Sequence, residues 1–148
     1  MMTRREMNGS LGAALAALIA GTASTAAEAQ DTAGHAQTQG VSPVKTLMQE
    51  PLGEIPNAEV SVITLTVGPG AATPSHEHIG PVFAYILEGE IENQVEPNPP
   101  KTYRAGDYFY EPAMHVHKML TNLSKTKPAK LLISQVGEKG KQFTIGVK

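Results

Sequence analysis

Four of the five histidines fall in two short clusters, His76-Glu77-His78 and His115-Val116-His117. At neutral pH imidazole offers an uncharged nitrogen lone pair, which suits a borderline divalent metal. Both clusters have the form His-x-His. In an extended strand successive side chains alternate faces, so His76 and His78 point one way and Glu77 the other. A single pair of this kind is also what two half-exposed strand histidines look like. His117, about forty residues on and likewise beside a proline turn, makes a shared site the stronger reading. The candidate metal ligands are therefore His76, His78 and His117. His115 has the parity of His117 but follows the turn Pro112-Ala113-Met114, which can break the alternation. It stands as a fourth ligand, a neighbouring base or a loop residue. Tyr85, Tyr103, Tyr108 and Tyr110 are possible pocket donors, with core or edge packing as the plainer role.

Elements able to hold such a site are easily read. Val60 to Val67 is β-branched and alternating, and Gly68-Pro69-Gly70 stops it. Further strands are expected at Val82–Glu88, Glu90–Val95, Lys101–Arg104, Tyr108–Glu111, Val116–Thr121 and Leu131–Val136. Gly89, Glu96 to Pro100 and Ala105 to Asp107 supply the turns. No segment keeps a 3.6-residue period over ten or more residues, so helix content is expected to be low. Many short strands with regular Gly/Pro turns make an all-β sandwich or barrel. One domain is the natural expectation for a chain of this length.

Composition narrows the chemistry. Twelve Lys and Arg against 14 Asp and Glu give a formal net charge of -2, without the basic surface that displaces counterions from nucleic acid. There are no cysteines, which removes disulfides, thiolate metal sites and thiol nucleophiles. Residues 1–29 read as a signal peptide. Arg4 and Arg5 open it, Leu11 to Ala20 is an uncharged apolar run, and Ala27-Glu28-Ala29 offers a small-x-small cleavage pattern. The run is too short to anchor in a bilayer, and no later stretch is a membrane span. Thr3 to Met7 partly matches a twin-arginine signal, but Asn8 does not continue it, so an ordinary secretory leader is preferred. A periplasmic or secreted protein is expected, with residues 30–44 as a flexible lead-in containing His35, and a domain over 45–148.

Two motifs carry a family resemblance. Gly70, five residues, His76-x-His78 and then Gly89 resembles the first conserved motif of the cupins. Gly106, five residues, Pro112 and then His117 resembles the second. The resemblance implies a double-stranded β-helix, the cupin jelly roll of two antiparallel sheets, with a metal in its mouth. His76, His78 and His117 fall on its three metal-binding histidine positions. Two departures stand out. The glutamate ligand usual in the first motif is replaced by Val82, with Phe83 beside it. In the second motif Met114 replaces a glycine and Thr121 the asparagine, although Asn122 follows. An all-imidazole triad is thus expected, as in some cupin dioxygenases. Three neutral ligands leave a cation's charge uncompensated and favour an anionic oxygen ligand.

The resemblance implies a metal-dependent oxygenase acting on a small organic molecule, with Fe(II) the first expectation and Ni, Mn, Cu or Zn as alternatives. A non-catalytic metal- or small-ligand-binding protein of the periplasm is the second reading. A homodimer is also implied, since cupins commonly pair edge strands between subunits.

Overall fold

The computed structural model describes residues 40–147. The leader, His35 and most of the lead-in lie outside them. Ten strands follow in order: β1 (Lys45–Pro51), β2 (Ala58–Val67), β3 (His76–His78), β4 (Val82–Glu88), β5 (Glu90–Val95), β6 (Lys101–Arg104), β7 (Tyr108–Glu111), β8 (Val116–Asn122), β9 (Ala129–Glu138) and β10 (Thr144–Gly146). Every pairing is antiparallel. They form two five-stranded sheets, ordered β1-β2-β9-β4-β7 and β10-β3-β8-β5-β6. Among the described residues there is no helix. The fold is the all-β jelly roll expected from the sequence.

All seven expected strands are present, with β2, β8 and β9 longer than predicted, and the extended His76–His78 segment is β3. β1 and β10 were not legible. β1 is exposed at every position, so no inward apolar parity marks it. β10 is only three residues long.

Alternation explains the core. Val82, Ala84 and Ile86 of β4 are buried, while Phe83, Tyr85 and Leu87 face out. Leu65, Val67, Ile86, Ile91, Phe109, Leu120 and Leu131, drawn from both sheets, meet in one cluster. Each large aliphatic buried there contributes roughly 1.5–3 kcal/mol. Gly89 joins β4 to β5 with φ 86°, a left-handed conformation that an L side chain adopts only with strain.

One irregularity decides what faces inward on β8. Gln94 pairs with Met119 but Val95 pairs with His117, so Lys118 is an extra, unpaired residue. The bulge reverses the parity, and His117, Leu120 and Asn122 are all buried although the first differs from the others in parity. It also explains the motif's shifted asparagine. Asn122, rather than Thr121, lies fully buried. Its Nδ2 donates to the carbonyls of Val67, Gly68 and Lys127, and its Oδ1 accepts from the Ser124 N–H. Saturated in this way, Asn122 ties the ends of β2 and β8 to the loop before β9.

Candidate metal centre

β3 is a short strand held on one side by β10 and on the other by β8. His76 is the direct register partner of His117, and His78 that of Thr144. Two ligands near in sequence and one far away are thereby brought together by the β3–β8 ladder. The potential ligand atoms of His76, His78 and His117 all lie within 4.8 Å of one another. His76 Nε2 is 3.1 Å from His78 Nε2 and 3.3 Å from His117 Nδ1. His78 and His117 are buried, and His76 is partly so.

Which nitrogen of each ring faces the centre follows from its outer contact. His76 Nδ1 lies 2.8 Å from the carbonyl oxygen of Pro74. A carbonyl only accepts, so Nδ1 carries the proton and Nε2 the lone pair. His117 Nε2 donates to Oδ1 of Asn93, a buried residue on β5, leaving the lone pair on Nδ1. His78 Nδ1 lies 3.2 Å from the hydroxyl of Thr144, which can accept its proton in the same way. Each ring thus has an outer partner that fixes its orientation, and for His76 and His117 that partner, an acceptor only, aims a lone pair inward as metal-ligating imidazoles require.

The three grouped histidines are the ones expected, and a carboxylate that the sequence motifs do not single out lies beside them. Glu111, at the end of β7, is 4% exposed and places Oε2 3.3 Å from His78 Nε2 and 3.2 Å from His117 Nδ1. Burial by itself raises its carboxyl pKa. Hydrogen bonding and charge from His117 and His78 outweigh that and hold it down at about 2. Oε2 nevertheless has no partner in proper hydrogen-bond alignment. The His76 imidazole is lowered from 6.5 to about 4, first by burial and then by the neighbouring His117. It therefore stays neutral, as a ligand must. A signal for Glu111 existed in the sequence: it shares parity with the apolar Phe109 on β7, and both face inward.

The remaining candidates separate clearly. His115 is exposed, with its Nδ1 turned to the Ala113 carbonyl, and is not one of the three grouped histidines. Tyr85, Tyr108 and Tyr110 are on the outer face of the first sheet, and Tyr103 packs against the core. Met114 occupies the motif's glycine position with φ 59°, the conformation that glycine serves.

The centre opens on a cavity of about 40 Å³, lined by the three histidines and Glu111 together with Val82, Phe109 and Gln135 among others. Nitrogen lone pairs and a buried carboxylate oxygen without an aligned donor are a set of acceptors, and a divalent cation fits that set.

The comparisons agree with this geometry. The family model for the Cupin domain matches residues 63–134, which contain all four of these side chains. Among solved structures, an oxalate oxidase aligns with TM-score 0.58 and 21% identity over 76% of this chain and 57% of its own. The DMSP lyase DddQ from Ruegeria pomeroyi DSS-3 aligns with TM-score 0.52 and 23% identity, over 60% of this chain and 43% of its own. A double-stranded β-helix protein from Klebsiella pneumoniae gives 0.55 and 19% over 76% of this chain and 90% of its own. The chain thus spans under half the length of the lyase and little more than half that of the oxidase. At such identities the likeness concerns the fold. No curated protein matches the sequence. Two antiparallel sheets, both histidine motifs and the matched domain together make the chain a member of the cupin superfamily.

Proposed function

We propose that the protein is a metal-dependent oxygenase acting on a small organic molecule at the centre formed by His76, His78 and His117, with Fe(II) as the working metal. The observation that carries this reading is the commitment of the outer ring nitrogens to Pro74, Thr144 and Asn93. Such bracing is needed to present three lone pairs to one ion and has no purpose for three separate surface histidines. When bound, the metal supplies Lewis acidity and a template on which substrate and dioxygen can meet.

The chain's own residues define what enters. Val82, Phe109 and Ile133 give the cavity an apolar wall, and Gln135 is the neutral polar group on it. A cavity of about 40 Å³ admits only a few water-sized groups, at roughly 10–15 Å³ each. A compact oxygen-donor substrate whose body is uncharged suits these surroundings. Redox chemistry is not fixed by the fold, since an oxalate oxidase and a DMSP lyase share it.

The leader pattern supports export to the periplasm or beyond. A homodimer is supported by the outer face of β4 and β7, where Phe83, Tyr85, Tyr108 and Tyr110 are exposed together. Among the described residues no helix is long and apolar enough to cross a membrane.

Anaerobic loading with Fe(II), followed by oxygen-electrode assays on the smallest diketones, tests the activity. Uptake abolished by His117→Ala is the expected result. Tight metal and ligand binding without oxygen uptake or change in the ligand would replace the oxygenase with the non-catalytic binding protein.

A further inference from the structure

We propose that Glu111 is a fourth ligand of the metal centre, a carboxylate supplied from β7 in place of one on β4. The inference rests on the three-histidine site proposed above and adds the charged member of its donor set.

The argument begins with register. Val82 on β4 and Glu111 on β7 are direct partners in an antiparallel ladder, and both side chains face inward. Residues so paired have their Cβ atoms about 5 Å apart. A glutamate on either strand can therefore bring its carboxylate to the same place. Val82 leaves that place empty of donors, and the extended side chain of Glu111 reaches it.

The distances form a closed ring. From His76 Nε2 the path runs 3.1 Å to His78 Nε2, then 3.3 Å to Glu111 Oε2, then 3.2 Å to His117 Nδ1 and 3.3 Å back to His76 Nε2. Neighbouring ligand atoms on one cation with bonds of about 2.1 Å are about 3 Å apart when the angle between them is near a right angle. All four sides of the ring are close to that length. An ion pair with a single histidine would bring one side to this distance and leave the others arbitrary.

The chemistry of the four atoms points the same way. The outer contacts of His76 and His117 place protons away from the centre, so their inner nitrogens are acceptors. Glu111 Oε2 is an acceptor as well and is buried without an aligned donor. Acceptors gathered at 3.1–3.3 Å repel one another unless something positive lies among them, a shared proton in the metal-free protein or a cation when one is bound. A cation satisfies all four together, and the carboxylate offsets one unit of its charge. The site then needs no anionic substrate for neutralisation, in keeping with the apolar wall around Val82.

Titration of the metal-free protein with Co(II) tests the assignment, since both affinity and the visible d–d spectrum respond to a lost ligand. Glu111→Gln preserves shape and is expected to bind Co(II) roughly 10–100-fold more weakly, or less tightly still, with an altered spectrum. Returning the carboxylate to the other strand, in the double variant Val82→Glu/Glu111→Val, is expected to restore most of the affinity. If Glu111→Gln matches the wild type in affinity and spectrum, the assignment is wrong while the three-histidine site stands. Weaker binding with an unchanged spectrum also overturns it, leaving Glu111 as a charge that only positions His78 and His117. Failure of the wild type to bind Co(II) removes the metal site and this inference with it.

Discussion

The backbone N–H of Met114 donates to the carbonyl oxygen of His78 at 2.8 Å. A turn in the second motif is thereby fastened to the strand that carries two of the metal-facing histidines. Met114 makes this contact from φ 59°, which costs a residue with a β-carbon roughly 1–2 kcal/mol. Its side chain is 57% exposed, so little burial is lost on removing it. Glycine relieves the strain but adds unfolded-chain entropy worth about 0.5–1 kcal/mol. Met114→Gly is expected to stabilise the protein by up to about 1 kcal/mol. Urea unfolding checks this, with a higher midpoint and unchanged slope expected. A lower midpoint would mean that the methionine side chain contributes a contact outweighing the strain.

Asn122 and Thr121 differ sharply despite being adjacent. Asn122→Ala removes the partner of the buried Val67 carbonyl, of the half-buried bonds to the Gly68 and Lys127 carbonyls, and of the Ser124 N–H. At about 1 kcal/mol or more for each lost bond, the expected cost is roughly 3–5 kcal/mol. Thr121→Ala, on the opposite face of β8, is expected to cost under about 1 kcal/mol. Equal effects of the two substitutions in denaturant melts would refute the role given to the bulge.

Alternation made most of this fold legible, because β2, β4, β5, β7 and β8 bury one face and expose the other. The three histidines were legible for the same reason. What escaped were features set by partners rather than by parity. The bulge at Lys118 shifts the buried asparagine by one place, and nothing within residues 116–122 reveals it without β5 beside them. Glu111 escaped because the family motif carries its glutamate on β4, where Val82 stands, and only the β4–β7 ladder sets Glu111 opposite that position.

The outer partners of the rings predict an order of effects on metal affinity. His117→Ala removes a ligand and is expected to weaken binding at least 100-fold, more than loss of a bracing group does. Asn93→Leu leaves the ligand but frees its ring, and a roughly 10–100-fold loss is expected. His115→Ala should leave affinity unchanged, since that ring is exposed and turned to Ala113. Calorimetric titration with Zn(II) gives all three values. A fall for His115→Ala comparable to that for His117→Ala would reverse the assignment of the second motif.

Acid should destabilise the metal-free protein in two stages. His76 has a folded-state value of about 4 against an ordinary 6.5, so between these values the unfolded chain binds a proton that the folded chain refuses. Its contribution is complete above about pH 6.5 and lost as the pH falls toward 4. Glu111 shifts in the same sense but lower, from 4.5 to about 2. Its contribution is complete above about pH 4.5 and lost on the way down to 2. Melting temperatures of chelator-treated protein, measured from neutral pH downward, should therefore fall first through the histidine range and then through the carboxylate range. His76→Gln is expected to flatten the upper limb alone, and Glu111→Gln the lower limb alone. A melting temperature that rises on acidification through pH 6 would contradict the neutral, buried state of His76 and, with it, a lone pair ready for a cation.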